Sequence, residues 1–322
     1  MDSRLNYHAA AICRRMIAKA DRLRVAVHAT PPLGPTVIDC GIEARGGLEA
    51  GRQLAKVCMA GMGNIAFAPA APELWPGLAV TVRSDAPVVA CMAAQYAGWK
   101  VQQGDFFAMA SGSMRAAAGK ETLLETLGIR ERPEMAVGVL ESRRLPPADV
   151  LEMLGEACGV KPARLTILVA PTASQAGTVQ IVARSLETAL HKLFELGFDL
   201  HRIESGYGSA PLPPVAGNDL EAIGRTNDAI LYGGEVTLWV RGDDADLEAI
   251  GPKVPSSASP DFGAPFAEIF ARYNKDFYAI DPHLFSPAVV TFVNLDTGRS
   301  FRFGRTLPDV IRKSFGAVLH DM

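Results

Sequence analysis

The sequence predicts an α/β protein. Short apolar runs rich in β-branched residues alternate with helical patterns almost from end to end. At 322 residues the chain can bury a substantial core, either as two domains of ordinary size or as one large one. Its composition, 48% hydrophobic and 21% charged with 30 Gly and 22 Pro, is that of a globular enzyme rather than a disordered or fibrous chain.

In chain order, MDSRLNYHAAAICRRMIAKADRL sets charges on both sides of a short apolar centre, which predicts an amphipathic helix over 4–20. RVAVHA (24–29) and TVIDCG (36–41) read as strands joined by a stiff Pro-Pro-x-Gly-Pro connector. A helix follows over 46–59. GMGNIA (61–66) then fits the G-x-G-x-x-A form of a dinucleotide loop, with Asp85 about 20 residues further on. The crossover helix of such a unit would have to run through FAPAAPELWPG, where Pro69, Pro72 and Pro76 would each cost about 3 kcal/mol. A tight turn explains these glycines better.

LAVTVR (78–83) is the next strand, followed by helices over 87–97 and 120–127 and a strand at MAVGVLE (135–141). SRRLPPADV, with two arginines and two prolines, is the best candidate boundary. Beyond it come a helix (147–157), the strand RLTILVA (164–170) and a long helix over 174–196, whose Val179, Val182, Leu186, Leu190 and Leu193 form a core-facing stripe. Helices over 217–226, 243–250, 263–274 and 307–316 and strands EVTLWVR (235–241) and VVTFVNL (289–295) complete the pattern. The last strand turns at Asp296-Thr297-Gly298 into RSFRFG, a hairpin, and GPKVPSSASPDFGAP reads as a surface loop rather than a linker.

Several function classes lose support at once. With 32 basic against 35 acidic residues the net charge is −3, so no global field recruits nucleic acid or an anionic membrane. Charges or prolines break every apolar run before the length of a membrane span, and the start lacks a signal peptide's order, so a cytoplasmic location is expected. The five cysteines are scattered and odd in number, and the six histidines show no paired-ligand spacing, so neither a disulfide framework nor a metal is expected. His28, Asp39 and Cys40 lie close in sequence, but nearness along strands does not bring side chains together. No G-x-S-x-G elbow occurs.

Three places remain as candidates. In ASGSMRAA (110–117), Ser111, Ser113 and Arg115 precede or open a short helical stretch that can hold a carboxylate or phosphate; either serine can equally be a plain N-cap. APTASQAGTVQ follows a strand, at the end where open α/β sheets place ligands, and Thr172 or Ser174 is expected to cap the long helix. On that helix Arg184 and Glu187 are three residues apart, hence on one face. They flank the apolar stripe, which predicts a rim position; spacing alone is also satisfied by a surface ion pair worth a few tenths of a kcal/mol.

LRVAVHATPPLGPTVIDCGIEARGGLEAG, ASGSMRA, APTASQAGTVQIVARSLETALHKL, ESGYGSAPLPPVAGND and GRTNDAILYGGEVTLWV together resemble the methenyltetrahydromethanopterin cyclohydrolases of methanogenic archaea and some methylotrophic bacteria. The resemblance runs from about residue 4 to residue 317, and none of these strings is shared among unrelated enzymes. It implies two α/β domains with a substrate cleft between them; the SRRLPPADV boundary divides them into 1–145 and 146–322, the second carrying the catalytic helix, with packing of the C-terminal hairpin on the first domain as the alternative. It further implies reversible hydrolysis of the 5,10-methenyl cation of tetrahydromethanopterin to the N5-formyl compound, with no metal or cofactor beyond the pterin substrate, by a homo-oligomer, trimers being common. The family's proposed catalytic pair falls on Arg184 and Glu187: Glu187 would orient water and take its proton, and Arg184 would hold Glu187 in place and favour its charged form. Ser111, Ser113, Arg115, Thr172, Ser174, Gln175 and Asn227 lie in matching loops, as substrate contacts or as caps and turn residues, and Tyr207 as a stacking or a core aromatic. The rival readings are a pterin-binding or regulatory subunit without chemistry, and a nicotinamide oxidoreductase, which the three prolines weaken.

Overall fold

A computed structural model describes residues 4–29, 34–274, 276 and 279–316. The strands are β1 (Ala26–Ala29), β2 (Thr36–Asp39), β3 (Asn64–Pro69), β4 (Leu78–Ser84), β5 (Trp99–Gln103), β6 (Phe106–Ser111), β7 (Ala136–Glu141), β8 (Leu165–Ala170), β9 (Ile203–Pro211), β10 (Glu235–Val240), β11 (Val289–Asn294) and β12 (Ser300–Gly304). The α-helices are α1 (Leu5–Ile17), α2 (Ala20–Leu23), α3 (Leu48–Cys58), α4 (Met114–Ala118), α5 (Thr122–Thr126), α6 (Ala148–Cys158), α7 (Gln175–Val182), α8 (Ser185–Glu195), α9 (Asp219–Leu231), α10 (Asp244–Ile250), α11 (Phe266–Arg272) and α12 (Pro308–Phe315). The chain forms two compact α/β units, Met1–Asn64 with Val89–Ile181, and Ile65–Val88 with Val182–Met322.

The first unit is built on a six-stranded sheet in the order β1-β2-β8-β7-β6-β5, in which β2, β8 and β7 are parallel neighbours. Such strands are covered on both faces, and the side-chain alternation of β8 shows how. Leu168 and Ala170 join a core with Ile12, Cys13 and Met16 of α1 and Leu54 and Val57 of α3. Leu165, Ile167 and Val169 point the other way, into a core with Val150, Leu154 and Cys158 of α6. α1 is helical where its apolar residues recur at helical spacing, Leu5, Ala9, Ile12, Cys13 and Met16 all being buried. SRRLPPADV connects β7 to α6 inside this unit. The connector at 31–35 lies largely outside the described residues.

The second unit carries another six-stranded sheet, β12-β11-β10-β9-β4-β3, with β10 and β11 parallel. β3 grows out of GMGNIA: Gly61 turns the chain at φ +72 and the next residues extend instead of coiling, ending at Pro69 on an edge strand, where a missing N–H does least harm. α8 lies on β9 at unusually short range, because a Cβ on Gly206 would meet Leu186 Cδ1 at 2.6 Å and one on Gly208 would meet Ser185 Oγ at 2.6 Å. Lys192 Nζ of α8 donates to the carbonyl of His283 at 2.6 Å. Tyr207 stands on the strand between those two glycines and is 38% exposed, so it is not a core aromatic. The stretch read as a surface loop instead packs in part: Ser256 is fully buried and donates to the Leu231 carbonyl at 2.5 Å.

Two of the expected helices also differ from the sequence reading. The helix expected over 87–97 is a π-helix, Val88–Gln95, which widens the turn so that Tyr96 N–H reaches the Cys91 carbonyl. The helix expected over 174–196 is two helices, broken at Ala183 and Arg184.

Asp228 of α9 is fully buried, its Oδ1 accepting from Phe266 N–H at 2.8 Å and its Oδ2 from Ser314 Oγ at 2.6 Å. Burial pushes its pKa from 3.8 up to about 7, against the pull of those two hydrogen bonds. The folded protein therefore binds this proton more tightly than the unfolded chain, and the stabilisation that the proton supplies is full below pH 3.8 and lost as pH rises to about 7. Equilibrium unfolding should show this site weakening the fold by at most about 4 kcal/mol between pH 4 and 7, and Asp228→Asn should flatten that slope.

Candidate active site

The parallel strands of the first unit end side by side, and their carboxyl ends carry the polar residues. Asp39 closes β2 and is fully buried, yet both oxygens are engaged: Oδ1 accepts from Gly41 and Ile42 N–H at 2.8 and 2.7 Å, Oδ2 from Glu43 and Ala44 N–H at 2.7 and 2.8 Å. The acid shapes its own turn. Its carboxylate, His28 and Glu43 also bring ligand-type atoms within 4.8 Å of one another, but the backbone donors already hold Asp39. Cys40 is buried and its thiol is pushed far up by burial, which removes it as a nucleophile.

β8 leads into the APTAS loop, where Ser174 is the helix cap: its Oγ accepts from Gly177 N–H at 3.0 Å and donates to the Pro171 carbonyl at 2.7 Å. Thr172 is buried and offers its carbonyl to Thr178 Oγ1 at 3.3 Å, while Gln175, the first residue of α7, is half-buried. Ser111 ends β6 with its Oγ 3.7 Å from Cys58 Sγ. Ser113 precedes α4 without capping it through its side chain, and its buried Oγ has no hydrogen-bond partner among the described residues. Arg115 is fully buried and committed to protein groups: Nε donates to Glu121 at 2.7 Å, Nη1 to the Met92 carbonyl at 3.0 Å, Nη2 pairs with Glu121, and the guanidinium lies 5.0 Å from the Tyr96 ring centre. It secures its own segment and has few donors left to offer a ligand.

The signal missed in the sequence is Glu141, the acid ending β7. Gln180 of α7 donates to its Oε1 at 2.8 Å, and Cys58 Sγ lies 3.7 Å from Gln180 Oε1. An acid closing an otherwise apolar strand was the clue available. Nothing marked Gln180, whose role depends on a contact 39 residues away in sequence.

In the second unit, Arg184 and Glu187 meet at the start of α8. Arg184 is the N-cap, at φ −87 and ψ 4, in the sparsely populated bridge region that active-site residues often occupy. Its carbonyl accepts the first helical hydrogen bond, from Thr188 N–H at 2.9 Å. Glu187 therefore stands in the first turn, where the unsatisfied amides of the helix favour negative charge. Arg184 Nη1 is 3.9 Å from Glu187 Oε2, and the residues are 6% and 4% exposed. This overturns the surface-pair reading, because two charges withdrawn from water cost far more than a solvated pair returns. Asn227 lies on α9, donating from Nδ2 to the Ile223 carbonyl at 2.8 Å.

Comparison with known proteins decides the family. The description "Cyclohydrolase (MCH)" matches residues 4–315. The chain belongs to the cyclohydrolase (MCH) family. It is 51% identical over 288 residues to the methenyltetrahydromethanopterin cyclohydrolase of Rhodopirellula baltica, covering 88% of this chain and 86% of that one. It is 47% identical to the enzyme of that name from Methylobacterium sp. (strain 4-46), with 97% of each chain covered, and 44% identical to that of Methanosarcina barkeri, with 88% and 89% covered. The buried pair at the start of α8 thus belongs to a cyclohydrolase scaffold.

Proposed function

We propose that the protein hydrolyses 5,10-methenyltetrahydromethanopterin reversibly to the N5-formyl compound, with Glu187 as proton acceptor and donor and Arg184 as the residue that holds it. The observation carrying this reading is the Arg184–Glu187 pair, almost wholly buried at the opening turn of α8. A carboxylate so placed has a cost that a binding module has no reason to meet, which favours an enzyme over a pterin-carrying subunit.

The chemistry asks little more. The reacting carbon lies between two nitrogens that share a positive charge, so it is already electrophilic. Glu187 orients a water and takes its proton as the oxygen bonds to that carbon. It then returns the proton to N10, the C–N10 bond breaks, and the hydroxyl proton leaves as the formyl carbonyl forms. Charge and atoms balance: cation and water become a neutral formyl compound and one proton. The negative side chain also attracts the cationic ring and is already in place before reaction. No metal or organic cofactor enters these steps.

The test is direct. Mixed with the methenyl compound and no nicotinamide, the purified protein should bleach the methenyl absorbance band, and EDTA should leave the rate unchanged. A protein that binds the pterin while the band persists would instead be the non-catalytic subunit.

A further inference from the structure

Within the second unit, α8 is held at two places. Its start rests on the glycines of β9, and toward its end it is tied down by Lys192. A lysine almost never lies fully buried without a partner, and Lys192 is 2% exposed. Its Nζ donates at 2.6 Å to the carbonyl of His283, in the turn Pro282–Leu284. Asp281 builds that turn: its Oδ1 accepts from His283 N–H at 3.0 Å and its Oδ2 from Ser259 Oγ at 2.6 Å. One carboxylate thus holds the acceptor carbonyl in place and also attracts the ammonium. Among the described residues, the other charges around α8 are engaged elsewhere. Every buried residue of β4, β9 and β10, the strands beneath the helix, is uncharged. In the neighbouring turn Leu200–Arg202, His201 lies 3.1 Å from Asp199 and Arg202 lies 3.0 Å from Asp246; on α8 itself His191 lies 3.7 Å from Glu195, and His283 is exposed.

We propose that Lys192 is a positioning residue for the reaction: by tying α8 to the His283 carbonyl, its ammonium fixes where the helix, and Glu187 with it, sits on the sheet. The proposal rests on the reading of Glu187 as the acid–base group. Lys192 follows Glu187 by five residues, about 140° round the helix, so it grips a side that the reacting carboxylate does not occupy. A short helix moves as one body, and a shift of its seat is passed on to its first turn, where a misplacement of about 1 Å can cost a hundredfold in rate. Burial pushes the Lys192 pKa from 10.5 down to about 8, against the pull of Asp281. Below that pH the bond to His283 is charge-assisted. As pH rises through about 8 the proton leaves, and the neutral amine keeps only a weaker bond and loses its attraction to Asp281.

Profiles of kcat against pH, read from bleaching of the methenyl band and corrected for uncatalysed decay, test this. In wild type kcat should fall severalfold as pH rises through about 8. Lys192→Met keeps the length of the side chain without its charge; kcat at neutral pH should lie about tenfold below wild type with KM little changed, and the alkaline fall should vanish. A residue that served folding alone would not remove that limb. Asp281→Asn can still accept from His283 N–H and bond Ser259, but it removes the charge that raises the Lys192 pKa, so the alkaline fall should move to lower pH. A wild-type kcat that stays level through pH 8, wild-type kcat in Lys192→Met, or an unmoved fall in Asp281→Asn would each overturn the assignment and leave Glu187 in its role. A wild type that leaves the band intact, or a Glu187→Gln protein that turns over normally, would strike the proposed function and this inference with it.

Discussion

Glu187→Gln is expected to lower kcat by about 10²- to 10⁴-fold, the range for loss of a positioned acid–base group. Gln keeps the shape of the side chain and its place in the first turn of α8, but it cannot take a proton from water or return one to N10. KM should rise by a smaller factor, from the lost attraction for the cationic ring. The substitution opens no cavity, so the thermal midpoint, measured beside the rate, separates lost chemistry from lost structure. Single-turnover decay of the methenyl band is the decisive readout. A Gln variant with kcat within threefold of wild type would remove Glu187 from the mechanism.

Arg184→Ala should act on rate and binding together. Truncating one member of a buried ion pair costs about 3–5 kcal/mol, because the remaining charge is stranded away from water. At 3.9 Å the contact is long, so the lower part of that range is expected in fold stability, and the misplacement of Glu187 should lower kcat/KM by roughly a hundredfold. Part of the cost should show as a lower thermal midpoint. Arg184→Lys should recover some of the loss, since it restores the charge but not the planar fork. Unchanged kcat and KM in Arg184→Ala would mean that Glu187 is oriented by other groups.

How far the sequence was legible depends on where each signal resides. β8 and α1 were readable because their apolar residues repeat at the strand and helix periods, and burial follows those periods. β9 was not: SGYGSAP places glycines where a strand normally shows bulky side chains, and its extended form is set by β4 and β10 on either side. The β5–β6 hairpin, turning at Gly104-Asp105, was likewise passed over, since its strands mix polar and aromatic residues. The break between α7 and α8 carries no Pro or Gly at 183–184, so helical spacing ran straight through it. Arg184 and Glu187 were visible through their spacing and the family resemblance, but their burial was not. Glu141 with Gln180 escaped because the pairing joins distant segments.

The glycines of β9 give α8 its height above the sheet. Because backbone there meets Ser185 and Leu186 with no side chain intervening, the helix that bears Glu187 rests on main chain, which neither rotates nor swells. A single methyl group on that strand would act like a shim under an instrument mount, tilting the turn that carries Glu187. On the function proposed above, the alignment of Glu187 is governed partly by hydrogen atoms at positions 206 and 208, and inactive variants are to be sought there as much as among the charged residues.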